Sequence, residues 1–475
     1  MIRQCYLILV LVSCFTVCLP SGGRPEETAT SEVNLITLCP EHFHAALFQK
    51  EMLPGVSKRV KVYAPLGPDL ILHLGRVANF NVRKEAPTAW ELEVYAAPDF
   101  LERMLKDRAG NAVILSGRGR GKIEKVRACV ENGFHILADK PWILDSADLP
   151  KMETVLNEAE KKGVVAFDGM TQRFEIANIV HRELINDPDV LGSLMTGSQD
   201  DPAIHLQSVH YLMKLVAGVP NLRPAWFFDT YQQGEGLSDL GTHIADLIFW
   251  MVFPDQAIDR QQDIKMLAAR HWPVVLSKTE FQRVTGEADF PEALRPRVTA
   301  DRFEYFCNNT VRFTIRGIHA RLDVTWNYEA APGEGDTETG YVRGSKSRIE
   351  VRQGKEENFI PEVYVVPNRI EDRPDVLRAA KRKVAALQAA FPGLGVEDRG
   401  ERIHVTIPVR YRVGHEAHFA ILAERFLAYV KNPRSLPAWE KPNMLAKYYI
   451  TTKGVELARQ SAEPAKPQGG KWGQW

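Results

Sequence analysis

The chain has 475 residues, 45% hydrophobic and 25% charged, with 60 Lys and Arg balancing 60 Asp and Glu. Those values describe a globular protein of two or three domains and exclude wholesale disorder, collagen-like repeats and a multi-span membrane protein. A neutral balance carries no electrostatic footprint for nucleic acid, so no such partner is expected.

Residues 1–23 read as a secretory signal. Arg3 precedes the apolar run Tyr6–Leu19, and Pro20, Ser21, Gly22 and Gly23 follow. The run is too short for a comfortable membrane span. The mature chain is therefore expected to be exported, periplasmic or secreted, with no transmembrane span. A lipid anchor on Cys14, after Leu11-Val12-Ser13, is the lesser alternative. Residues 24–32 read as a polar linker. Cys39, Cys129 and Cys307 remain in the mature chain, too widely spaced for a disulfide framework or a zinc motif, and no metal is expected.

From 33 to 165 strands and helices alternate. Val33–Leu38, Val60–Ala64, Glu91–Ala97, Ala112–Leu115, His135–Ala138 and Val164–Phe167 read as strands. The intervening stretches 44–52, 70–77, 99–106, 122–132 and 149–161 read as helices, the fourth stopped by Gly133 in a left-handed C′ position. This pattern predicts a Rossmann-like parallel sheet with helices on both faces. Residues 166–460 form a second, α+β domain. Its stretch 205–236 reads as a substrate loop. Arg302–Phe306, Val311–Ile315, Ala320–Trp326, Arg348–Val351 and Glu362–Val366 read as strands of a large, mostly antiparallel sheet. Helices follow over 415–430 and 442–460, and 461–475 read as a flexible tail. The fold class is α/β, a parallel dinucleotide-binding domain joined to an α+β substrate domain.

Ligands of an open parallel sheet bind outside the carboxyl ends of its strands. After the first strand stands Cys39-Pro40-Glu41-His42-Phe43-His44, where a dinucleotide fold normally carries GxGxxG. A helix N-terminus still offers N–H groups to a phosphate, so Pro40, His42 and His44 are candidate cofactor contacts. Both histidines are equally well structural. As metal ligands the pair alone does not converge on one helix face. After the fourth strand, Ser116, Gly117 and Arg118 would let a ribose or nicotinamide approach the backbone; a plain glycine turn is the competing reading. After the fifth come Asp139, Lys140 and Pro141. A lysine pointing into a crevice, its pKa depressed by burial, suits proton transfer, although this tripeptide alone is more often a surface turn. In the segment Gly234–Asp246, Asp239, His243 and Asp246 are spaced i, i+4, i+7 and share one helical face. An imidazole beside a carboxylate is an acid/base unit; a solvated polar stripe is the alternative. His205 and His210 stand in the expected loop, as pocket-lining residues for sugar hydroxyls or as ordinary loop residues. Trp226, Phe227 and Phe228 read as core aromatics in preference to a sugar platform.

Two of these segments carry a resemblance. ADKPW at 138–142 is similar to the E-K-P motif, and GEGLSDLGTHIADL at 234–247 to the G-G-G…D-x-G-x-H-x-x-D segment, of the Gfo/Idh/MocA family of nicotinamide-dependent oxidoreductases. The chain resembles that family over residues 33–460, and in particular exported bacterial members with a distinct oxidoreductase C-terminal domain and HFHAA in place of the glycine fingerprint. The resemblance implies NAD or NADP as cofactor and a carbohydrate or polyol as substrate. It makes Lys140 a contact to substrate and nicotinamide, Asp239 and His243 the paired acid/base groups, and Asp246 a further substrate contact. His243 would take the hydroxyl proton while nicotinamide C4 takes the hydride. Three departures stand out: the missing glycines, Asp139 in place of glutamate, and Pro65-Leu66-Gly67 without the acidic residue of an NAD ribose site. NAD and NADP therefore both remain open. Export implies a tightly held nucleotide, because free NAD(H) is scarce outside the cytoplasm. The alternatives are a redox-neutral glycosidase working through a transient keto-sugar, a metal-dependent hydrolase or lyase built on His205, His210 and His243, and a non-catalytic sugar-binding protein. A homo-oligomer through the open sheet is a further expectation.

Overall fold

The structure is a computed structural model that describes residues 33–216, 219–220 and 222–461. The expected signal segment and linker (1–32), and all of the expected tail beyond 461, lie outside the described residues.

Six strands, β1 (Leu35–Pro40), β2 (Arg59–Ala64), β3 (Glu91–Ala96), β4 (Ala112–Ser116), β5 (His135–Ala138) and β6 (Ala166–Asp168), form a parallel sheet in the order β3-β2-β1-β4-β5-β6. Every residue of β1 and β4 is buried, as continuous apolar runs require when helices cover both faces. The helices are α1 (His44–Leu47), α2 (Pro68–Val82), α3 (Phe100–Asp107), α4 (Lys122–Glu131) and α5 (Leu149–Lys162). Gly133, with φ +79°, closes α4 as its position predicts. The order reverses between β1 and β4, and the crevice at that switch point is where a ligand fits such a sheet. Two expectations change. The helix expected over 44–52 is the single turn α1, and β6 carries the sheet past residue 165 to Asp168.

The second domain begins with α6 (Ile176–Ile185) and β7 (Ile204–Met213), followed by the small hairpin β8 (Leu215–Val216) and β9 (Val219–Pro220). Next come α7 (Gly236–Asp239), α8 (Gly241–Val252), β10 (Ile264–Ser277), α9 (Lys278–Thr285), β11 (Val298–Thr299), β12 (Arg302–Ile315), β13 (Ile318–Glu329), β14 (Thr337–Arg343), β15 (Ser347–Arg352) and β16 (Glu362–Pro367). The chain ends with α10 (Arg373–Leu387), β17 (Gly395–Arg399), β18 (Arg402–Thr406), α11 (His415–Lys431) and α12 (Glu440–Gln460). The sheet order is β10-β12-β13-β7-β14-β15-β16-β18-β17, with β11 beside β12. The β7–β13 pair is parallel; the other pairs are antiparallel. The expected substrate loop is corrected here, because residues 204–213 are a central strand. β12 also joins Arg302–Phe306 and Val311–Ile315, which read as separate strands, by running unbroken through Asn308 and Asn309. Their carboxamide oxygens accept the N–H groups of Trp326 (2.6 Å) and Leu237 (3.0 Å), so the polar pair is satisfied inside the sheet.

The last two helices return to the first domain. α11 lays Phe419, Leu422 and Phe426 against Phe48 and Phe167 on one face of the parallel sheet. α12 gives Met444, Leu445 and Tyr448 to the opposite face, and Ala446, Ile450 and Val455 to the core under the large sheet. A buried ion network fixes this junction. Lys447, fully buried, meets Asp168 at 2.7 Å and Asp246 at 3.3 Å, and Arg173 bridges Asp246 and Glu440, each at 2.6 Å. Among the described residues no helix is long and apolar enough to cross a membrane.

Candidate active site

Lys140 leaves the carboxyl end of β5 and precedes the cis peptide bond to Pro141. Its ammonium forms an ion pair with Asp239 of α7, with the two side chains 10% and 13% exposed. A cation from the first domain thus meets an anion from the second, at the mouth of the crevice. Burial would raise the Asp239 pKa, but the Lys140 ammonium prevails and holds it below the usual carboxylate value. His243 follows on α8. Burial, then the charges of Lys140, His415 and His44, hold its imidazole well below the ordinary histidine value. It is therefore neutral at pH 7, and its Nδ1 is buried without a hydrogen-bond partner. The glycine that opens α7 is there for steric reasons. A Cβ on Gly236 would stand 2.1 Å from the Cys307 carbonyl oxygen. Only glycine lets α7 press onto β12 and carry Asp239 to the crevice.

Behind Lys140 lies a polar knot around Asp139. Its Oδ1 accepts from the Gly117 N–H (3.2 Å) and faces Lys122 Nζ (2.5 Å); its Oδ2 accepts from Ser116 Oγ (2.7 Å). Lys122 is 1% exposed and also donates to the Asp139 carbonyl at 2.9 Å. His42 Nδ1 and His44 Nδ1 stand 3.6 and 3.3 Å from the same Oδ2. Burial alone would raise the Asp139 pKa, yet Lys122 and the two imidazoles bring it far below the normal range. Burial lowers both imidazoles, so they stay neutral. His44 Nε2 lies 3.2 Å from His415 Nε2, and His415 Nδ1 3.4 Å from Thr171 Oγ1. Burial and then His44 push His415 down to about 3.

The structure therefore gathers His42, His44, Ser116, Gly117, Asp139, Lys140 and Pro141 in one crevice with Asp239 and His243. Other expected contacts go elsewhere. Pro40 is buried as the last residue of β1. Just before it Cys39 takes φ +46°, the left-handed conformation that glycine adopts most easily. Arg118 is engaged by Glu41 and Asp69, and its guanidinium sits 4.8 Å over the Trp226 ring. Asp246 is corrected from a substrate contact to a structural anion. Arg173 and Lys447 occupy its two oxygens and it is 2% exposed. His205 is corrected as well: it lies on β7, turned to the sheet face opposite Leu206, where its Nε2 meets Asp323 at 2.8 Å. His210 does reach the site. Its Nδ1 is 3.1 Å from Asp336, Asp239 is among the charges it feels, and burial lowers it to about 4. The three histidines of the hydrolase alternative thus do not converge. Phe227 and Phe228 are core aromatics as expected.

Sequence reasoning missed His415 and Glu338. His415 opens α11 in the stretch His415-Glu416-Ala417-His418, whose paired histidines were a usable signal. Glu338 on β14 lines a cavity with His243, Gln172, Asn178 and Ser208, and accepts from Gln172 Nε2 at 2.7 Å. Burial, reinforced by Glu175 and Asp336, pushes its carboxyl up to about 8. Nothing in its local sequence marks it.

The architecture is a parallel sheet with a switch-point crevice, capped by an α+β domain that completes the polar cluster, the two-domain arrangement of an oxidoreductase. The chain belongs to the oxidoreductase family whose C-terminal part is described as "Putative oxidoreductase C terminal domain", which matches residues 180–459. It is similar over 90% of its length to a structure described as "a putative oxidoreductase" from Parabacteroides merdae, with 42% identity, 98% of that chain covered and a TM-score of 0.88. Levoglucosan dehydrogenase in complex with NADH and L-sorbose shares the fold at 14% identity, with 90% of this chain and 97% of that one covered and a TM-score of 0.55. GenD2 from gentamicin A biosynthesis, in complex with NAD, does so at 15% identity, 92% and 97% coverage and a TM-score of 0.54. No curated protein sequence matches the chain. The recognition drawn from ADKPW and GEGLSDLGTHIADL is thus borne out.

Proposed function

We propose that the chain is a nicotinamide-dependent oxidoreductase of a carbohydrate or polyol. The observation that carries this reading is the meeting of Lys140, Asp239 and neutral His243 at the carboxyl edge of a 3-2-1-4-5-6 parallel sheet.

The crevice residues fit such a nucleotide. The Ser116 carbonyl takes the N–H groups of Glu41 (2.8 Å) and His42 (3.1 Å), which leaves those of Phe43 and His44 as donors for a phosphate. Gly117 and Gly119 present no side chain at the β4 end, and Lys140 and His243 face the reacting end. When bound, the nicotinamide supplies a hydride acceptor at C4; NAD and NADP both satisfy these residues. The chain's own groups do the rest. Neutral His243 accepts the proton of the substrate hydroxyl. The Lys140 ammonium, held by Asp239, stabilises the developing alkoxide in a site where water screens little. His210 and Gln172 offer hydrogen bonds to neighbouring hydroxyls. The leader-like residues 1–23 support export, and export favours a nucleotide held through the whole catalytic cycle.

One observation favours the redox-neutral variant. Glu338 lines the same cavity as His243, and burial pushes its carboxyl up to about 8, so it is placed to protonate the oxygen that leaves when a transient keto-sugar eliminates its glycosidic substituent. That variant predicts glycoside cleavage with no net change in reduced-nicotinamide absorbance.

The test combines mass spectrometry of small molecules released from the purified protein with turnover on a panel of sugars, polyols and glycosides. A nicotinamide nucleotide should be released, and Lys140→Ala and His243→Ala should each lower turnover by about 10²-fold or more. Absence of nucleotide together with wild-type turnover in both variants overturns the reading.

A further inference from the structure

We propose that His42, His44 and Asp139 form a binding site for one divalent transition-metal cation, of the zinc, iron(II) or manganese class, beside the nucleotide crevice. This inference does not rest on the nucleotide being bound.

Three ligand atoms, one from each residue, lie within 4.8 Å of one another. The two imidazole nitrogens stand 3.6 and 3.3 Å from Asp139 Oδ2. With metal–ligand bonds of about 2.0–2.2 Å, ligands in tetrahedral or octahedral positions stand about 3–3.5 Å apart. Backbone geometry brings the pair together. His42 precedes α1, so the two rings are not spaced along one regular helix, and their centroids are 4.1 Å apart.

Hydrogen bonding alone leaves this cluster unsatisfied. Asp139 Oδ2 already accepts the Ser116 hydroxyl at 2.7 Å. Two more donors would have to share an oxygen with two lone pairs, and neither His42 Nδ1 nor His44 Nδ1 makes a hydrogen bond although both are buried. An orphaned buried nitrogen is costly. A cation turns both nitrogens and the free lone pair of Oδ2 into ligands.

The surroundings hold those ligands as an outer shell does. Lys122 and the Gly117 N–H fix Oδ1, leaving Oδ2 to face the imidazoles. His44 Nε2 is paired with His415, which in turn meets Thr171, so Nδ1 is the free ligand atom. Two imidazoles and one carboxylate suit zinc, iron(II) or manganese in preference to calcium or magnesium. Three protein ligands leave open positions, as in catalytic sites. Lys122 already balances the Asp139 charge, so the filled site draws an anionic oxygen donor to the open side.

The full-length protein, purified without chelator or metal-affinity resin, is analysed for metal, then stripped with a chelator and titrated with Co²⁺ while its visible absorption is followed. About one equivalent of cobalt should bind and produce ligand-field bands. His42→Ala removes a side chain that makes no hydrogen bond, so the chain should fold and lose stoichiometric binding. His415→Ala removes only the support of His44 and should weaken cobalt binding by about 10–100-fold. Stripped wild-type protein that takes up no cobalt, or wild-type binding in folded His42→Ala, overturns the proposal. Nucleotide content is measured on the same samples. Nucleotide without metal removes the cation alone, and metal without nucleotide removes the nicotinamide reading alone.

Discussion

Lys447→Met should destabilise the protein sharply, by an amount the structure lets us size. Methionine reproduces the length and packing of the lysine stem, so the change is one of charge. Lys447 is fully buried and meets Asp168 at 2.7 Å and Asp246 at 3.3 Å. Asp246 keeps both bonds to Arg173. Asp168, 1% exposed, keeps only the Tyr448 hydroxyl as a side-chain polar partner among the described residues. Leaving one buried carboxylate without its counter-charge costs about 3–5 kcal/mol. With a urea m-value of at least about 3 kcal/mol/M for a chain of this size, the unfolding midpoint followed by tryptophan fluorescence should fall by up to about 1–1.7 M. Adding Asp168→Asn removes the stranded charge and should restore most of that loss. If Lys447→Met alone stays within about 1 kcal/mol of the wild type, the ion network does not hold the two domains as argued.

Glu338→Gln should stabilise the protein, and the gain should grow with pH. The folded pKa of about 8 lies above the unfolded value. The folded state therefore holds a proton that the unfolded state releases, and stability is lost as pH rises from about 4.5 to about 8. Glutamine avoids that penalty, so thermal melts should coincide at pH 4.5 and differ by up to about 4 kcal/mol at pH 8; a variant less stable than wild type at pH 8 contradicts the burial argument. His205→Ala should leave kcat/KM within about twofold, because that histidine lies on the far face of the sheet, whereas His210→Ala should lower it by about tenfold or more, the effect of one lost pocket hydrogen bond to a charged or polar group. Equal effects of the two would place the substrate on the other face.

The parallel domain was legible because its central strands β1, β4 and β5 are short apolar runs, and all its strands alternate with helix-like stretches. His135–Ala138 matches β5 to the residue, and Gly133 stops α4 where expected. Lys140, Asp239 and His243 were legible because the crevice takes residues from strand ends and from one helical face. The rest failed for identifiable reasons. β7 looked like a loop because His205, Gln207 and His210 mask its period of two, and the burial of Ile204, Leu206 and Ser208 emerges only when β13 and β14 flank it. Asp246 shares a helical stripe with His243, but periodicity does not say whether a stripe meets ligand or Arg173. His415 reaches His44 across 371 positions, a distance no local pattern spans.

The double duty of α12 has a consequence for how the molecule is made. The parallel sheet leaves the ribosome well before Met444, Leu445 and Tyr448, which cover one of its faces from more than 270 positions further along the chain. Until α12 has been made, that face stays uncovered and sticky, a surface for chaperones to hold. Cutting the chain before Glu440 would strip a wall from both halves at once, so the parallel-sheet half should not survive on its own.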